Sequence, residues 1–310
     1  MIVAHTLAEI DVDPSSIVTV GTFDGVHRGH RAIIEEVAGR ARTKNGRSVV
    51  ITFDPHPKEV LSGTPATLLT TLEERLEEFG RLGVDAALVI KFTKEFSRQS
   101  PRDFYVRYLI EGVGAREVIE GHDHTFGRDR EAGVTTLMEL GREFGVDTTT
   151  VRPVLIGGEQ VKSTAIREAL KSGNIEKANL FLGSPYPLRG SVVRGDGRGA
   201  ELGFPTINLR PSSGNKLIPA NGVYAVSAEW KDERLHGMMN IGHRPTFNDG
   251  GERTIEANLF EFERTIYGDA IRVRFHKRLR DEKRFASKEE LITQLASDRA
   301  ASKEILAALE

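Results

Sequence analysis

The fold of the first half of the chain is decided by the stretch Ile17-Val-Thr-Val-Gly-Thr-Phe-Asp-Gly-Val-His-Arg-Gly-His-Arg-Ala-Ile-Ile34. Its first residues are apolar and β-branched, which predicts a buried strand that Gly21 ends. A compact loop follows, and the spacing of Ile33, Ile34 and Val37 predicts an amphipathic helix after it. A strand, a glycine-bearing loop and a helix N-terminus together predict a phosphate site, because the first helical amides are unpaired and the helix dipole favours negative charge.

Two histidines, His27 and His30, lie three residues apart at the mouth of this predicted anion site. An imidazole pair there can offset the charge that develops on a phosphate leaving group, and nucleotidyl transfer needs mostly such positioning and charge stabilisation. From the pair alone, two other interpretations stay open. The histidines are surface loop residues, or they are a metal pair, although no third ligand is evident and the chain has no cysteine.

The composition is that of a globular protein with two domains. The 310 residues are many for a single core, and 39% are hydrophobic. The formal net charge of −2 gives no reason to expect binding to nucleic acid or to an anionic membrane. The lack of cysteine excludes disulfides, thiolate metal sites and cysteine nucleophiles. The N-terminus does not resemble a signal peptide and no apolar run approaches the ~20 residues that cross a bilayer, so we expect a cytoplasmic protein.

The hydrophobic periodicity changes near residue 183. Residues 1–183 alternate strand and helix patterns, which predicts an α/β domain with a parallel sheet and with ligands beyond the carboxyl ends of its strands. The stretch Ser184-Pro-Tyr-Pro-Leu188 predicts a linker. Residues 184–310 show short alternating runs between glycines and prolines, which predicts a small antiparallel barrel or sandwich. A last helix is predicted over 287–309, with Ser287 as its N-cap.

A second phosphate loop is predicted in the C-terminal half. Glycines stand at alternate positions after a strand, namely Gly195, Gly197 and Gly199. Such a loop can present successive amides to phosphates, although hairpin turns look alike. Thr206 and Asn208 follow two residues apart, so a strand places them on one face. Their oxygens suit Mg²⁺ held together with ATP phosphates.

Several motifs match one family in the same order. The stretch Gly21-Thr-Phe-Asp-Gly-Val-His-Arg-Gly-His30 resembles the nucleotidylyltransferase signature of the bacterial bifunctional riboflavin kinase/FAD synthetase family. Further motifs of that family are similar to Thr52-Phe-Asp-Pro-His-Pro57, Gly121-His-Asp-His-Thr-Phe-Gly127, Ser163-Thr-Ala-Ile-Arg167, Leu202-Gly-Phe-Pro-Thr-Ile-Asn208, Asn240-Ile-Gly-His-Arg-Pro-Thr-Phe247 and the segment 256–268. The resemblance covers nearly the entire chain.

The resemblance implies a fold and two activities. The N-terminal domain would be a Rossmann-like nucleotidylyltransferase, and the C-terminal domain a six-stranded antiparallel β-barrel kinase with a C-terminal helix. The second domain would phosphorylate riboflavin to FMN, and the first would adenylylate FMN to FAD with release of pyrophosphate. ATP, riboflavin and FMN would be the substrates, and both steps would use Mg²⁺.

For the first domain the resemblance also implies site residues. His27 and His30 would bind the ATP phosphates and stabilise the transition state. Further contacts to ATP are implied for Gly21, Phe23, Asp24, Asp123, Ser163, Thr164 and Arg167. The flavin side is implied for Pro55, His56 and Pro57, with Phe126 as a stacking partner. From the residues alone, an ordinary helix cap at Ser163 and a rigid turn at the Pro-His-Pro segment stay open.

For the second domain the resemblance implies a general base and a flavin loop. Glu256 would take the proton from the ribityl 5′-hydroxyl as that oxygen attacks the γ-phosphate. Arg280, with Arg278, would belong to a loop that closes over the flavin. From the residues alone, a solvent-facing strand glutamate and a solvated basic stretch stay open.

The chain departs from the family pattern in two motifs. The family reads Ser-Ser-Thr after a basic residue, whereas here Lys162 stands at the first serine and Gln160 at the basic position. We hypothesise that Lys162 supplies the missing charge, because one charge-assisted contact to phosphate is worth ~1.5–3 kcal/mol. In the third motif His124 stands where an apolar aromatic residue is common.

Three other functions stay open at this point. The altered motif at Gln160 and Lys162 allows a riboflavin kinase whose adenylyltransferase site is impaired. A flavin- or nucleotide-sensing protein without catalysis is a second alternative, against which the retention of His27, His30 and Glu256 speaks. A cytidylyltransferase is a third, and the kinase-like second half does not fit it. The oligomeric state is not predicted.

Overall fold

The computed structural model describes residues 1–122, 133–195, 197–243 and 253–309, and divides the chain into two compact units, Met1–Ser163 and Thr164–Glu310. The predicted nucleotide contact Asp123 and the predicted stacking residue Phe126 lie outside the described residues.

The first unit is built on a parallel sheet, as the alternating patterns predict. Its strands are β1 (Ile2–Ala4), β2 (Ser16–Val20), β3 (Ser48–Asp54), β4 (Ala86–Lys91), β5 (Ala115–Gly121) and β6 (Asp147–Val151). They lie in the order β1-β4-β3-β2-β5-β6, with every recorded pair parallel. From β2 the chain continues to β3 and β4 on one side and then crosses to β5 and β6 on the other. The switch point of this topology is therefore between β2 and β5, where α/β sheets bind their ligands.

Helices cover both faces of this sheet. They are α1 (Arg28–Thr43), α2 (Pro57–Ser62), α3 (Leu72–Arg81), α4 (Pro101–Phe104), which a π-helical turn over Tyr105–Ile110 continues, and α5 (Val134–Phe144). One face of the sheet packs against Leu109 and Leu137, and the other against Ile34 and Phe79. Single-turn 3₁₀ segments cover Leu7–Glu9 and Phe96–Arg98, and a hairpin of β7 (Leu155–Ile156) and β8 (Glu159–Gln160) precedes the end of the unit.

The second unit begins with two helices that pack on the barrel. Helix α6 (Ser163–Ser172) is followed by α7 (Ile175–Leu182). Asn179 of α7 donates to the carbonyl of Phe275 at 2.8 Å and accepts from the amide of Tyr186 at 2.8 Å. Helix α7 therefore packs on the barrel, and both helices except Ser163 belong to the second unit. The functional boundary that we place after Gly183 stays a prediction.

The remainder of the second unit is a closed antiparallel barrel of six strands, so the barrel alternative is confirmed. Its elements are β9 (Tyr186–Val193), α8 (Arg198–Glu201), β10 (Ile207–Pro211), β11 (Gly222–Trp230), β12 (Glu233–His243), β13 (Arg253–Leu259), β14 (Ala270–Arg280) and α9 (Lys288–Ala307). The strands close in the order β10-β13-β12-β11-β14-β9. The predicted cap of the last helix is present, since Ser287 Oγ accepts from the amide of Glu290 at 3.2 Å.

The predicted linker is wrong over most of its length. Tyr186, Pro187 and Leu188 lie in β9, where Pro187 is the register partner of Arg274 in β14. Pairing of β9 with β10 reaches only Gly190, so the strand has one paired side at Pro187. A proline lacks an amide hydrogen and is tolerated in a strand that has an unpaired side.

Candidate active sites

The loop after β2 carries the first site, and packing holds its shape. Phe23 has a positive φ of 47° and is buried, and its ring lies edge-on to Phe79. The half-buried Gly21 lies beneath that ring. The side chain of Phe23 therefore anchors the loop in the core below the helix N-terminus.

The two histidines meet at the first turn of α1. His27 is the N-cap, and its Nδ1 accepts a hydrogen bond from the amide of His30 at 3.2 Å. The two rings stack with centroids 3.6 Å apart. Gly29 leaves room for the His27 ring, because an added Cβ there would lie 3.2 Å from it and the ring would have to shift slightly. An Nδ1 that accepts carries no proton, so the neutral His27 ring holds its proton at Nε2 and offers it as a donor.

Asp24 is buried and its carboxylate faces the segment before α3. Oδ1 accepts from the amides of Leu69 and Thr70, each at 2.9 Å. The carbonyl oxygen of Asp24 accepts from Ser163 Oγ at 2.9 Å. The structure thus brings together Asp24, Ser163 and the histidine loop, and it gives Asp24 the contacts of a residue that holds the loop in place. Direct contact of its carboxylate with ATP stays a prediction.

The rest of the fourth motif surrounds the start of α6. Lys162 is exposed and Gln160, the last residue of β8, is half-buried. Thr164 and Arg167 lie in the first two turns of α6, with Thr164 exposed and Arg167 half-buried. Their roles at the phosphates stay predictions.

The predicted flavin segment follows β3. His56 is the N-cap of α2, and its Nδ1 accepts from the amide of Lys58 at 3.1 Å. Pro55 and Pro57 flank it and are half-buried. The carboxyl ends of the neighbouring strands β2 and β3 thus each lead to a helix capped by a histidine.

The second site lies on one face of the barrel. Asn208 of β10, Glu256 of β13 and Asn240 of β12 are register partners, so their side chains form a row across three strands. The glycine loop lies against this row. An added Cβ at Gly195 would lie 2.0 Å from Nδ2 of Asn208. A side chain at Gly195 would therefore displace the amide of Asn208.

The remaining loop glycines extend the same arrangement. Gly197 has a positive φ of 75°, and an added Cβ at Gly199 would lie 3.0 Å from Oγ1 of Thr206. The structure thus brings Thr206 and Asn208 beside the glycine loop. A hydroxyl and an amide oxygen fit the few protein ligands that Mg²⁺ takes when phosphates supply the others. Among the described residues there is no cluster of His, Cys, Asp and Glu that could hold a metal without such phosphates.

Arg280 is anchored to the last helix. Its Nε and Nη2 donate to the buried carboxylate of Asp298, the Nη2 bond measuring 2.8 Å. Arg278 donates to the carbonyl of Asn221 and pairs with Asp281 at 2.8 Å. Contact of Arg280 with flavin stays a prediction, and in this structure the residue fixes the end of β14 to α9.

Several residues near the first site are missed by the sequence analysis. Arg75 of α3 is buried beside the ends of β2 and β3. Glu120 of β5 is buried at the switch point, where its carboxyl accepts from the amide of Val20 at 2.7 Å. Burial raises the pKa of Glu120 well above its usual range, and the hydrogen bond from Val20 offsets this only in part.

An aromatic cluster beside the Pro-His-Pro segment is formed by Phe53, Phe92 and Phe96. The one available signal was the adjacency of Phe53 to Asp54-Pro55.

These two sites define a protein with a nucleotidyltransferase domain followed by a kinase domain. The FAD synthetase family model matches residues 9–165, and the riboflavin kinase family model matches residues 182–306. Similar proteins named as bifunctional match nearly their whole length. The bifunctional riboflavin kinase/FMN adenylyltransferase of Listeria monocytogenes is 37% identical over 300 residues, which is 96% of this chain and 95% of that protein. The protein of the same name from Escherichia coli K12 is 36% identical and covers 97% of this chain and 95% of its own length. The chain belongs to the family of bifunctional riboflavin kinase/FMN adenylyltransferases.

A solved structure of similar sequence has the same fold. The crystal structure titled macrolide-efflux protein from Streptococcus pneumoniae is 32% identical, covers 97% of this chain and 98% of its own, and superposes with a TM-score of 0.88. Within the described part of this chain, no helix has both the length and the apolar character needed to cross a membrane.

Proposed function

We propose that the first unit joins FMN to the adenylyl group of ATP at the loop Gly21–His30. A phosphate oxygen of FMN attacks the α-phosphorus of ATP, and the bond between the α-phosphorus and the bridging oxygen breaks to release pyrophosphate. His27 supports this step because its cap bond leaves the proton on Nε2, a donor suited to phosphate oxygens. His30 stacks on it, and the amides of the first turn of α1 add to the positive potential there.

The phosphate contacts would be completed by the fourth motif, namely Lys162, Ser163, Thr164 and Arg167. Their hydroxyl, ammonium and guanidinium groups have the chemistry that phosphate oxygens accept. The bond from Ser163 Oγ to the Asp24 carbonyl supports a place for Ser163 beside the histidine loop. Pro55, His56 and Pro57 would line the flavin side, together with the aromatic cluster of Phe53, Phe92 and Phe96.

The second unit would phosphorylate riboflavin on the barrel face that carries Glu256. The ribityl 5′-oxygen attacks the γ-phosphorus of ATP, its proton passes to the Glu256 carboxylate, and ADP leaves. The register of Glu256 with Asn208 supports this assignment, because the proposed base then lies beside the asparagine that Gly195 approaches. Thr206 and Asn208 would hold Mg²⁺, which when bound offsets the charge of the ATP phosphates.

The observation that carries the proposal is that each domain match contains a glycine-bearing loop beside the side chains that we propose as reactive, His27 with His30 in the first and Asn208 with Glu256 in the second. A match over residues 9–165 favours two activities over a kinase alone. Action in the cytoplasm, where ATP and flavins are supplied, stays a prediction.

A product assay tests the proposal. The full chain is incubated with riboflavin and Mg-ATP, and the flavins are separated by chromatography over time. We expect FMN to appear first and FAD to follow. FMN without FAD at high enzyme concentration would contradict the adenylyltransferase assignment, and tight flavin binding without any turnover would favour a sensing protein.

A further inference from the structure

Arg75 is a charged residue in the core of the first unit. It is the fourth residue of α3, and its side chain is among the largest that are fully buried. Burial lowers the pKa of Arg75, and the charges of Asp24 and Asp54 act in the opposite direction. Burying a guanidinium is costly unless its donors meet acceptors. The acceptors around Arg75 therefore decide whether its burial is tolerated.

The guanidinium of Arg75 meets the ends of two neighbouring strands. Nη1 donates to the carbonyl of Thr22 at 2.7 Å, to Thr52 Oγ1 at 3.1 Å and to the carbonyl of Phe53 at 3.3 Å. Nη2 also donates to Phe53 and lies 3.6 Å from Oδ1 of Asp54. Thr22 belongs to the histidine loop, and Phe53 and Asp54 directly precede the Pro-His-Pro segment. One planar group thus touches both segments that would hold the two substrates.

Helix α3 is itself fixed to the same loop. Its capping box is complete, with Thr71 Oγ1 accepting from the amide of Glu74 and the Glu74 carboxylate accepting from the amide of Thr71. The residues just before it, Leu69 and Thr70, donate to Asp24. The carboxylate of Asp24 in the loop therefore binds the residues before α3. The guanidinium of Arg75 in α3 in turn binds the loop and β3. This two-way attachment is rigid compared with a single hydrogen bond.

We propose that Arg75 is a positioning residue for adenylyl transfer, which sets the placement of the histidine loop relative to the Pro-His-Pro segment. The inference rests on the proposed function of the first unit. Transfer between two bound substrates depends steeply on their relative placement, and an error of about 1 Å costs ~10²-fold in rate. Each substrate keeps its own contacts when Arg75 is changed. The effect is therefore expected in kcat more than in the affinity for either substrate.

The test compares Arg75→Met, Arg75→Lys and wild type in the full chain. FAD formation is measured from FMN and Mg-ATP, and FMN formation from riboflavin is measured on the same samples as an internal reference. For Arg75→Met we expect kcat for FAD formation to fall by roughly 10- to 100-fold, while the dissociation constants of FMN and ATP change by less than about threefold. Arg75→Lys restores part of kcat, because an ammonium keeps the charge but meets fewer acceptors.

Two further variants make the test decisive. Arg81→Met changes an exposed arginine of the same helix and is expected to leave both activities unchanged. Thr52→Val removes one acceptor of Arg75 with little change of volume, so it is used if Arg75→Met does not fold. It is expected to lower kcat for FAD formation by roughly threefold to tenfold.

The possible outcomes separate the inference from the proposed function. Unchanged kcat in Arg75→Met, or in Thr52→Val where that variant replaces it, overturns the inference. A loss confined to the affinity for one substrate also overturns it. If wild type itself forms no FAD, the proposed function fails and the inference fails with it. A fall in kcat with both affinities kept, partly restored by lysine, supports it.

Discussion

The amide of His30 donates to Nδ1 of His27 at 3.2 Å, and the two imidazole rings stack on each other. One hydrogen bond therefore caps α1, orients the His27 ring and, because Nδ1 accepts, leaves the proton of the ring on Nε2. The cap and the proposed chemistry reside in the same side chain. A substitution that separates them is the most informative test of this site.

His27→Asn makes that separation. Asparagine is a good N-cap, so the variant keeps an acceptor for the first turn of α1 but loses the imidazole donor. We expect kcat for FAD formation to fall by about 10²- to 10³-fold, the usual loss when one preorganised donor to a reacting phosphate is removed. FMN formation from riboflavin should continue. Steady-state assays of both products on one preparation provide the measurement.

The matched control for this variant is His5→Asn, which changes an exposed histidine of the same unit. His27→Ala adds the loss of the cap, and it should lower the stability of the first unit by a further ~1 kcal/mol. Retention of FAD formation in His27→Asn would show that the ring serves only as a cap.

Glu256→Gln tests the second site. The amide cannot take the proton of the ribityl hydroxyl, so we expect FMN formation to fall by about 10²- to 10⁴-fold. FAD formation from added FMN should be unchanged. The control is Glu263→Gln, which alters an exposed glutamate outside the strands of the barrel. Loss of both activities from either His27→Asn or Glu256→Gln would contradict two separate sites.

The features predicted from the sequence are those that local pattern determines. Alternating strand and helix patterns predicted the parallel sheet, and the glycine loop before Ile33 and Ile34 predicted a helix start at the histidines. The predicted linker is wrong at Pro187, because a proline fits a strand only where one side of that strand is unpaired. That pairing involves β10 and β14, which are distant in sequence.

The residues that the sequence analysis missed are buried charges. The burial of Arg75 and Glu120 depends on which strands and helices cover them. The carboxylate of Asp24 meets amides of residues 69 and 70, more than forty positions away, and its contact with ATP stays a prediction. The partners of these polar side chains are set by tertiary packing, which cannot be predicted from the hydrophobic periodicity of the sequence.

Lys162→Ala tests whether this lysine replaces the basic residue of the family motif. If its ammonium binds phosphate, its loss should raise the KM for ATP in FAD formation by roughly 10- to 100-fold, as expected for one charge-assisted contact. Lys162→Arg should keep most of the affinity. The control is Lys171→Ala, in the last turn of α6 and also exposed. An unchanged KM in Lys162→Ala would remove this lysine from the site.

Glu117 and Glu120 of β5 test the electrostatics of the sheet, because their pKa values are shifted in opposite directions. Burial raises the pKa of Glu117, but hydrogen bonds from Lys44 and Thr149 and the charge of Arg40 outweigh it, so the net pKa is lowered. Burial dominates at Glu120 and raises its pKa. Glu117 therefore stabilises the fold above the usual glutamate pKa, and this contribution is lost as pH falls.

The expected pH dependence of Glu120 has the other sign. Above pH ~4.5 the unfolded chain releases this proton while the folded chain keeps it, so the free energy of unfolding falls as pH rises, by up to about 1.4 kcal/mol per pH unit, until the folded pKa is reached. Glu120→Gln should remove that slope and make the first unit more stable at neutral pH, whereas Glu117→Gln should make it less stable there.

Hydrogen exchange of peptides from β2 and β5, corrected for intrinsic rates, measures the stability of the first unit. The chain's single tryptophan, Trp230, lies in β11, so its fluorescence separately reports unfolding of the barrel. A wild-type first unit whose stability does not fall above pH ~4.5 relative to Glu120→Gln would contradict a protonated Glu120 at the switch point.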